Sequence, residues 1–266
     1  MSMSTLFSDG IDVTECDLPP LLPLVHTVST IKGLKYISNN SLPKPPDCER
    51  CEVFPLDNPV YLFYGKPTYK KLNKETTRDP ADHKMIFILK NYPYDPNDII
   101  RVFTFDSGAF YHGLYNGYID SNNYSLDDFE MSTDINELPK HICYFWGNNT
   151  NFIKYRSPKL INSSGLSFAI KIYADLIGSR RKEVYDSRCS VPEIQSEEIH
   201  YFLDYLQAIL VSDEIYNEYF GKNGKYEFLK EDIEIIPYNM YGRESASDIS
   251  AVYNCVLEYY RSKEVL

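Results

Sequence analysis

The stretch Leu24-Val25-His26-Thr27-Val28-Ser29-Thr30-Ile31-Lys32-Gly33-Leu34-Lys35-Tyr36-Ile37 decides how this chain is read. Leu24 to Thr27 has the look of a short strand carrying a histidine. Ser29 or Thr30 then caps a helix, on which Ile31, Leu34, Tyr36 and Ile37 are apolar at helical spacing. Asn39-Asn40-Ser41 ends that helix, and Pro43, Pro45 and Pro46 forbid its continuation. A strand running straight into a helix, followed by a proline-rich loop, points to a mixed fold.

The next segments extend the pattern without a regular rhythm. Val60-Tyr61-Leu62-Phe63-Tyr64 places five β-formers in a row and stops at Gly65 and Pro67. Met85 to Leu89 and Ile100 to Phe105 read as further strands. Residues 106–165 are rich in Gly, Asn, Ser and Tyr and read as a loop-rich insertion, with turns over Tyr111 to Tyr118. Within it, Asp134 to Pro139 suits one helical turn, and Ile142 to Trp146 suits a strand or a buried helix. Leu166 to Leu176 reads as a helix. Glu197 to Leu206 carries Ile199, Phe202, Leu203 and Leu206 on one helical face. A strand at Ala208 to Val211, a helix from Asp213 to Phe220, a strand at Ile233 to Ile236 and a C-terminal helix capped by Ser247 or Asp248 complete the chain. Strands and helices do not alternate as in a doubly wound sheet, so the fold class is α+β, a single domain over 1–266 with an irregular lead-in over 1–23.

Composition narrows the function classes. The net charge is -11, with 38 acidic and 27 basic side chains, which argues against broad, salt-driven binding to nucleic-acid backbones. The N-terminal segment is polar and no run of 18 apolar residues occurs, so a cytoplasmic protein without a membrane anchor is expected. The six cysteines are scattered and read as reduced thiols. Cys48-Glu49-Arg50-Cys51 has metal-ligand spacing, but a zinc site needs four ligands and His141 and Cys143 do not supply a second pair, so no metal is expected. Phosphate-binding glycine loops, His-Glu-x-x-His and Gly-x-Ser-x-Gly are all missing. Asp106-Ser107-Gly108 reads as a turn closing a strand. The 24 tyrosines read first as core filling.

One ordered set remains. His26 lies on the first strand, and Tyr61 and Tyr64 lie on the aromatic strand, which closes on Gly65-Lys66-Pro67-Thr68-Tyr69. Glu193 follows late, in Arg188-Cys189-Ser190-Val191-Pro192-Glu193, with Glu197 and Glu198 as rivals. A glycosidic bond to ribose breaks through an oxocarbenium-like state. A carboxylate beside the ribose stabilises the developing positive charge. An aromatic face stacks the leaving base, and a histidine bonds the sugar.

Over residues 24–70 and 186–236 this set resembles the ADP-ribosyltransferase superfamily, nearest to its DarT-like and RNA 2′-phosphotransferase branch. The resemblance implies a split mixed β-sheet flanked by helices, NAD as substrate, and transfer of ADP-ribose or hydrolysis of NAD. It implies Glu193 as the catalytic carboxylate, His26 with Thr27 at a ribose, Tyr61 or Tyr64 against nicotinamide, and Lys66, Tyr69 or Arg188 toward phosphate or substrate. A bacterial toxin or antiphage effector acting on a protein or nucleic acid, with an antitoxin or regulatory partner, follows from the same resemblance. Two other functions fit the residues. One is a noncatalytic binding module built on the tyrosine-rich middle. The other is an RNA 2′-phosphotransferase drawing on Arg188, Arg180 and Arg181.

Overall fold

The computed structural model describes residues 6–13, 16–45, 51–68, 83–90, 98–154, 167–179, 188–239 and 245–266, with side chains from 251 onward in the last segment. Among the described residues ten strands run in chain order: β1 Leu24–Ser29, β2 Ser41–Leu42, β3 Val60–Tyr64, β4 Lys84–Leu89, β5 Ile99–Phe103, β6 Glu130–Met131, β7 Glu193–Ser196, β8 Ile199–His200, β9 Leu206–Ser212 and β10 Glu234–Tyr238. The α-helices are α1 Thr30–Asn39, α2 Ser107–Tyr111, α3 Leu138–Trp146, α4 Asn149–Ile153, α5 Phe168–Gly178, α6 Asp213–Ile215 and α7 Ser245–Ser262. Eight strands form one mixed sheet in the order β10-β9-β4-β1-β3-β7-β5-β6, flanked by helices, and β2 pairs with β8 apart from it. Only the β9–β10 pairing is parallel within that sheet. The expected α+β class is thus present. No helix among the described residues is long and apolar enough to cross a membrane.

β4 explains the sheet's centre. Met85, Ile86, Phe87, Ile88 and Leu89 are all fully buried, so both faces of this strand are covered and its sequence is a continuous apolar run. Burying each such side chain contributes about 1.5–3 kcal/mol. α1 packs against this centre through Gly33, where an added Cβ would come within 2.4 Å of the Met85 sulfur. The Thr30 N–H and hydroxyl both donate to the His83 carbonyl, and Asn40 closes the helix at φ 48°.

The middle of the chain is more ordered than its composition suggests. Phe105, Tyr115, Phe129, Phe145 and Tyr173 are buried together, with ring centroids 5.0 Å apart for Phe105–Phe129 and 4.9 Å for Phe145–Tyr173. Ile142 to Trp146 belongs to α3, which has Pro139 in its first turn and ends at Gly147 with φ 83°.

Three expectations change. Glu197 to Leu206 is β8 followed by a 3-10 turn, because Tyr201 takes a left-handed conformation (φ 53°) and pairing with β2 overrides the helical periodicity. The Asp213 helix gives way after Ile215 to a π turn over Tyr216–Phe220. Cys16 and Cys143, 127 positions apart, pair as a disulfide instead of remaining reduced, a partnership that spacing does not reveal.

Candidate functional site

β1 and β3 are joined by two residue pairs only, Leu24–Tyr64 and Val25–Phe63, whereas β1 pairs with β4 over all six of its residues. Beyond Val25 the β1–β3 ladder stops. The His26 ring closes the gap: its Nδ1 lies 2.8 Å from the Tyr61 carbonyl. A carbonyl oxygen only accepts, so Nδ1 is the donor. Burial holds the imidazole below its ordinary pKa, against the Tyr61 carbonyl, which favours the charged form. In the neutral ring Nε2 is then the acceptor, and among the described residues no group donates to it. The ring is held between Phe87, nearly parallel at 6.4 Å, and Tyr36 of α1 at 6.2 Å. The neighbouring Thr27 hydroxyl is also buried and has no partner among the described residues.

The register of three strands builds the other wall. Tyr61 and Arg101 lie opposite Gln195 from its two sides, and Phe63 and Phe103 lie opposite Glu193. Residues in register, and residues two apart on one strand, share a face. Tyr61, Glu193, Gln195 and Arg101 therefore occupy one face of β3-β7-β5. Glu193 is 1% exposed. Its Oε1 accepts from the Ser107 hydroxyl (2.6 Å) and the Gln195 amide (2.8 Å), and its Oε2 accepts from the Ser107 N–H (3.1 Å). Burial, and then Asp106 nearby, push its carboxyl up to about 8, outweighing the three donors that favour the charged form. Asp106 accepts the Ala109 N–H at 2.6 Å and caps α2, which is how Ser107 is aimed at β7. The Tyr61 hydroxyl meets the Cys51 thiol. Burial first, then that bond and then the Glu193 charge, push the phenol far up. Arg101 bonds Gln195 and Asp57 and lies 4.5 Å from the Phe54 ring, so the segment around Cys51, Phe54 and Asp57 covers this face.

The sequence candidates separate into groups. Tyr61 and Glu193 share the polar face, and His26 touches it through the Tyr61 backbone, while its ring projects to the α1 side. Tyr64 lies next to Phe63 and so faces the other way. It is fully buried, and its hydroxyl accepts the Leu22 N–H at 2.9 Å. Gly65, at φ 68° and within 2.5 Å of the Leu22 side chain for any added Cβ, then turns the chain inward. Lys66 is buried with its Nζ 4.0 Å from the Phe152 ring, and burial brings its amine down to about 7. Lys66 is thus part of the aromatic core near Trp146. The Arg188 carbonyl accepts the Asp106 N–H, tying the approach to β7 to the cap of α2. Glu198 accepts from Ser41, and Glu197, directly after β7, pairs with Lys44. Tyr69, Cys48, Arg180 and Arg181 lie outside the described residues.

Ser107, Gln195 and Arg101 were not anticipated. Gln195 had a signal, since it stands two places after Glu193 on a strand and so shares its face. Ser107 and Arg101 had none, because only the β5–β7 pairing brings them to Glu193. No group of three or more His, Cys, Asp or Glu suited to a metal occurs among the described residues. No protein-family model, curated protein or solved structure matches this chain.

Proposed function

We propose that the protein binds NAD where β1 and β3 part and cleaves its nicotinamide–ribose bond, as an ADP-ribosyltransferase or an NAD glycohydrolase of that type of fold. The supporting observation is the His26 imidazole, locked as a buried acceptor whose Nε2 no described residue satisfies. A buried acceptor left unpaired costs about 1–3 kcal/mol. A ribose hydroxyl supplies the missing donor to His26, while the Thr27 hydroxyl, turned by strand alternation to the opposite face, lies on the side of Tyr61. Tyr61 offers a ring on the face that carries Glu193 and Gln195. Glu193, freed of its proton, provides the negative charge that stabilises a sugar losing its base. Tyr64, Lys66 and Arg188 serve this reading as supports of the β1–β3 junction and of α2. Transfer to a protein or nucleic acid, a toxin or defence role, a regulatory partner and a cytoplasmic location extend the same proposal.

Incubation with NAD and measurement of released nicotinamide tests it. Turnover that drops in both His26→Ala and Glu193→Gln is the expected result. Undiminished turnover in both variants, or none in the parent protein, sinks the reading. The complete enclosure of Glu193 supports a second reading, a noncatalytic binding protein in which Glu193, Ser107 and Gln195 form a structural network. That reading requires no nicotinamide release and a loss of stability in Glu193→Gln at every pH. An RNA 2′-phosphotransferase has less support, since Arg188 is its one described basic candidate.

A further inference from the structure

We propose that Arg101 is a positioning residue for Glu193 and acts by fixing the amide of Gln195. The inference rests on the proposed function only for its consequence in turnover. A guanidinium carries donors and no acceptor. Its Nη1 lies 3.2 Å from the Gln195 Oε1, so the amide oxygen must face Arg101. The amide NH₂ must then face the other way, and it lies 2.8 Å from Glu193 Oε1 and 3.3 Å from the Ser107 hydroxyl. The flipped amide would set two donors against each other at Arg101 and aim a carbonyl oxygen at a carboxylate. Arg101 forbids that arrangement.

Arg101 is itself held from two directions. Asp57 takes its Nη2, and the Phe54 ring, stacked on Phe103 at 5.8 Å, lies against its guanidinium. Gln195 and Glu193 are buried, so their hydrogen bonds are shielded from competing water. Among the described residues, the ionisable groups on elements that pack against Glu193 or Arg101 include Asp106 before α2, Tyr61 on β3, Cys51 and Asp57 on the covering segment, Arg101 on β5 and Glu130 on β6, opposite Phe103. Arg101 could act on the Glu193 carboxyl through the oriented Gln195 hydrogen bond or through its charge alone, and a double-mutant cycle separates the two.

The test is the titration of the Glu193 carboxyl, followed by ¹³C NMR of glutamate-labelled protein and assigned by the signal missing in Glu193→Gln. The set comprises the parent, Arg101→Met, Gln195→Met and the double variant. Loss of the oriented donor raises the Glu193 midpoint by about one pH unit in either single variant. The double variant goes no higher than Gln195→Met alone. In parallel, the acid limb of kcat for nicotinamide release moves up with the midpoint while KM stays. Arg101→Gln keeps a neutral donor and restores the parent midpoint, which also serves where the methionine variant does not fold. An equal Arg101→Met shift in both backgrounds means charge alone, and overturns the proposal, as does no shift in either. A shifted midpoint with no nicotinamide released leaves the positioning role standing and removes the NAD reading. Glu193-dependent turnover without the shift does the reverse.

Discussion

The two halves of the large sheet are built on different terms. β9-β4-β1 is joined by a six-pair ladder between β1 and β4 and a four-pair ladder, bulged between Ile88 and Leu89, between β4 and β9, and is apolar through its centre, with Ala208 to Val211 and Met85 to Leu89 all buried. β3-β7-β5 is equally well paired but carries Tyr61, Glu193, Gln195 and Arg101 on one face. Only two residue pairs connect the halves. One half supplies cohesion. The other keeps ionisable groups in a dry setting, where they are costly to hold and electrostatically strong. The short β1–β3 junction is where both properties meet.

The comparison can be broken at either side. Leu210→Ala in the apolar half should lower unfolding free energy by about 2–5 kcal/mol, read from equilibrium denaturation. A loss under about 1 kcal/mol would mean that this half is not the scaffold. On the polar side, Glu193→Gln should slow nicotinamide release by at least about 100-fold, comparable to removing one transition-state charge partner, while the protein still folds.

The same variant should change how stability depends on pH. Folding lifts the Glu193 pKa from 4.5 to about 8, so the folded state holds a proton that the unfolded chain releases. That contribution is complete below about pH 4.5 and is lost as pH rises toward 8. Thermal melting from pH 4.5 to 8 should therefore show a decline in the parent that is shallower in Glu193→Gln, and the variant should be the more stable of the two near pH 8. An identical slope in both proteins would place the Glu193 proton elsewhere.

Smaller effects sharpen the boundary. His26→Ala strands the Tyr61 carbonyl and should cost about 1–3 kcal/mol, together with a rise in the NAD concentration needed for half-maximal release. Tyr64→Phe removes one bond to Leu22 and should cost about 1 kcal/mol with no change in turnover per folded molecule. Turnover lost in Tyr64→Phe but kept in Tyr61→Phe would reverse the assignment of the two tyrosines.

Much of the scaffold could be read in advance. β3 occupies the residues expected, since five β-formers bounded by Gly65 admit one interpretation. β4 and α1 were equally plain, because an apolar run and a capped helical stripe are local signals. The polar face was only partly legible. Choosing between Tyr61 and Tyr64 depends on which face β3 turns to β7, and their odd spacing guarantees opposite faces without saying which is which. Ser107 and Arg101 depend on a pairing across about ninety residues of chain, a non-local fact that no window of sequence contains. Tyr201 shows the converse failure, a helical stripe defeated when Ser41 and Leu42 pair with His200 and Ile199 from far upstream.

The ends of the large sheet carry a last consequence. β10 is the outer strand on one side, and its Pro237 offers no N–H while Glu234 bears a charge paired with Lys263. β6 ends the other side after two residues. A long sheet normally presents a template for the strand of another molecule, and short, charged or proline-bearing margins refuse one. The eight-stranded sheet should therefore resist growth into edge-to-edge oligomers even at the high concentrations that NMR titration demands.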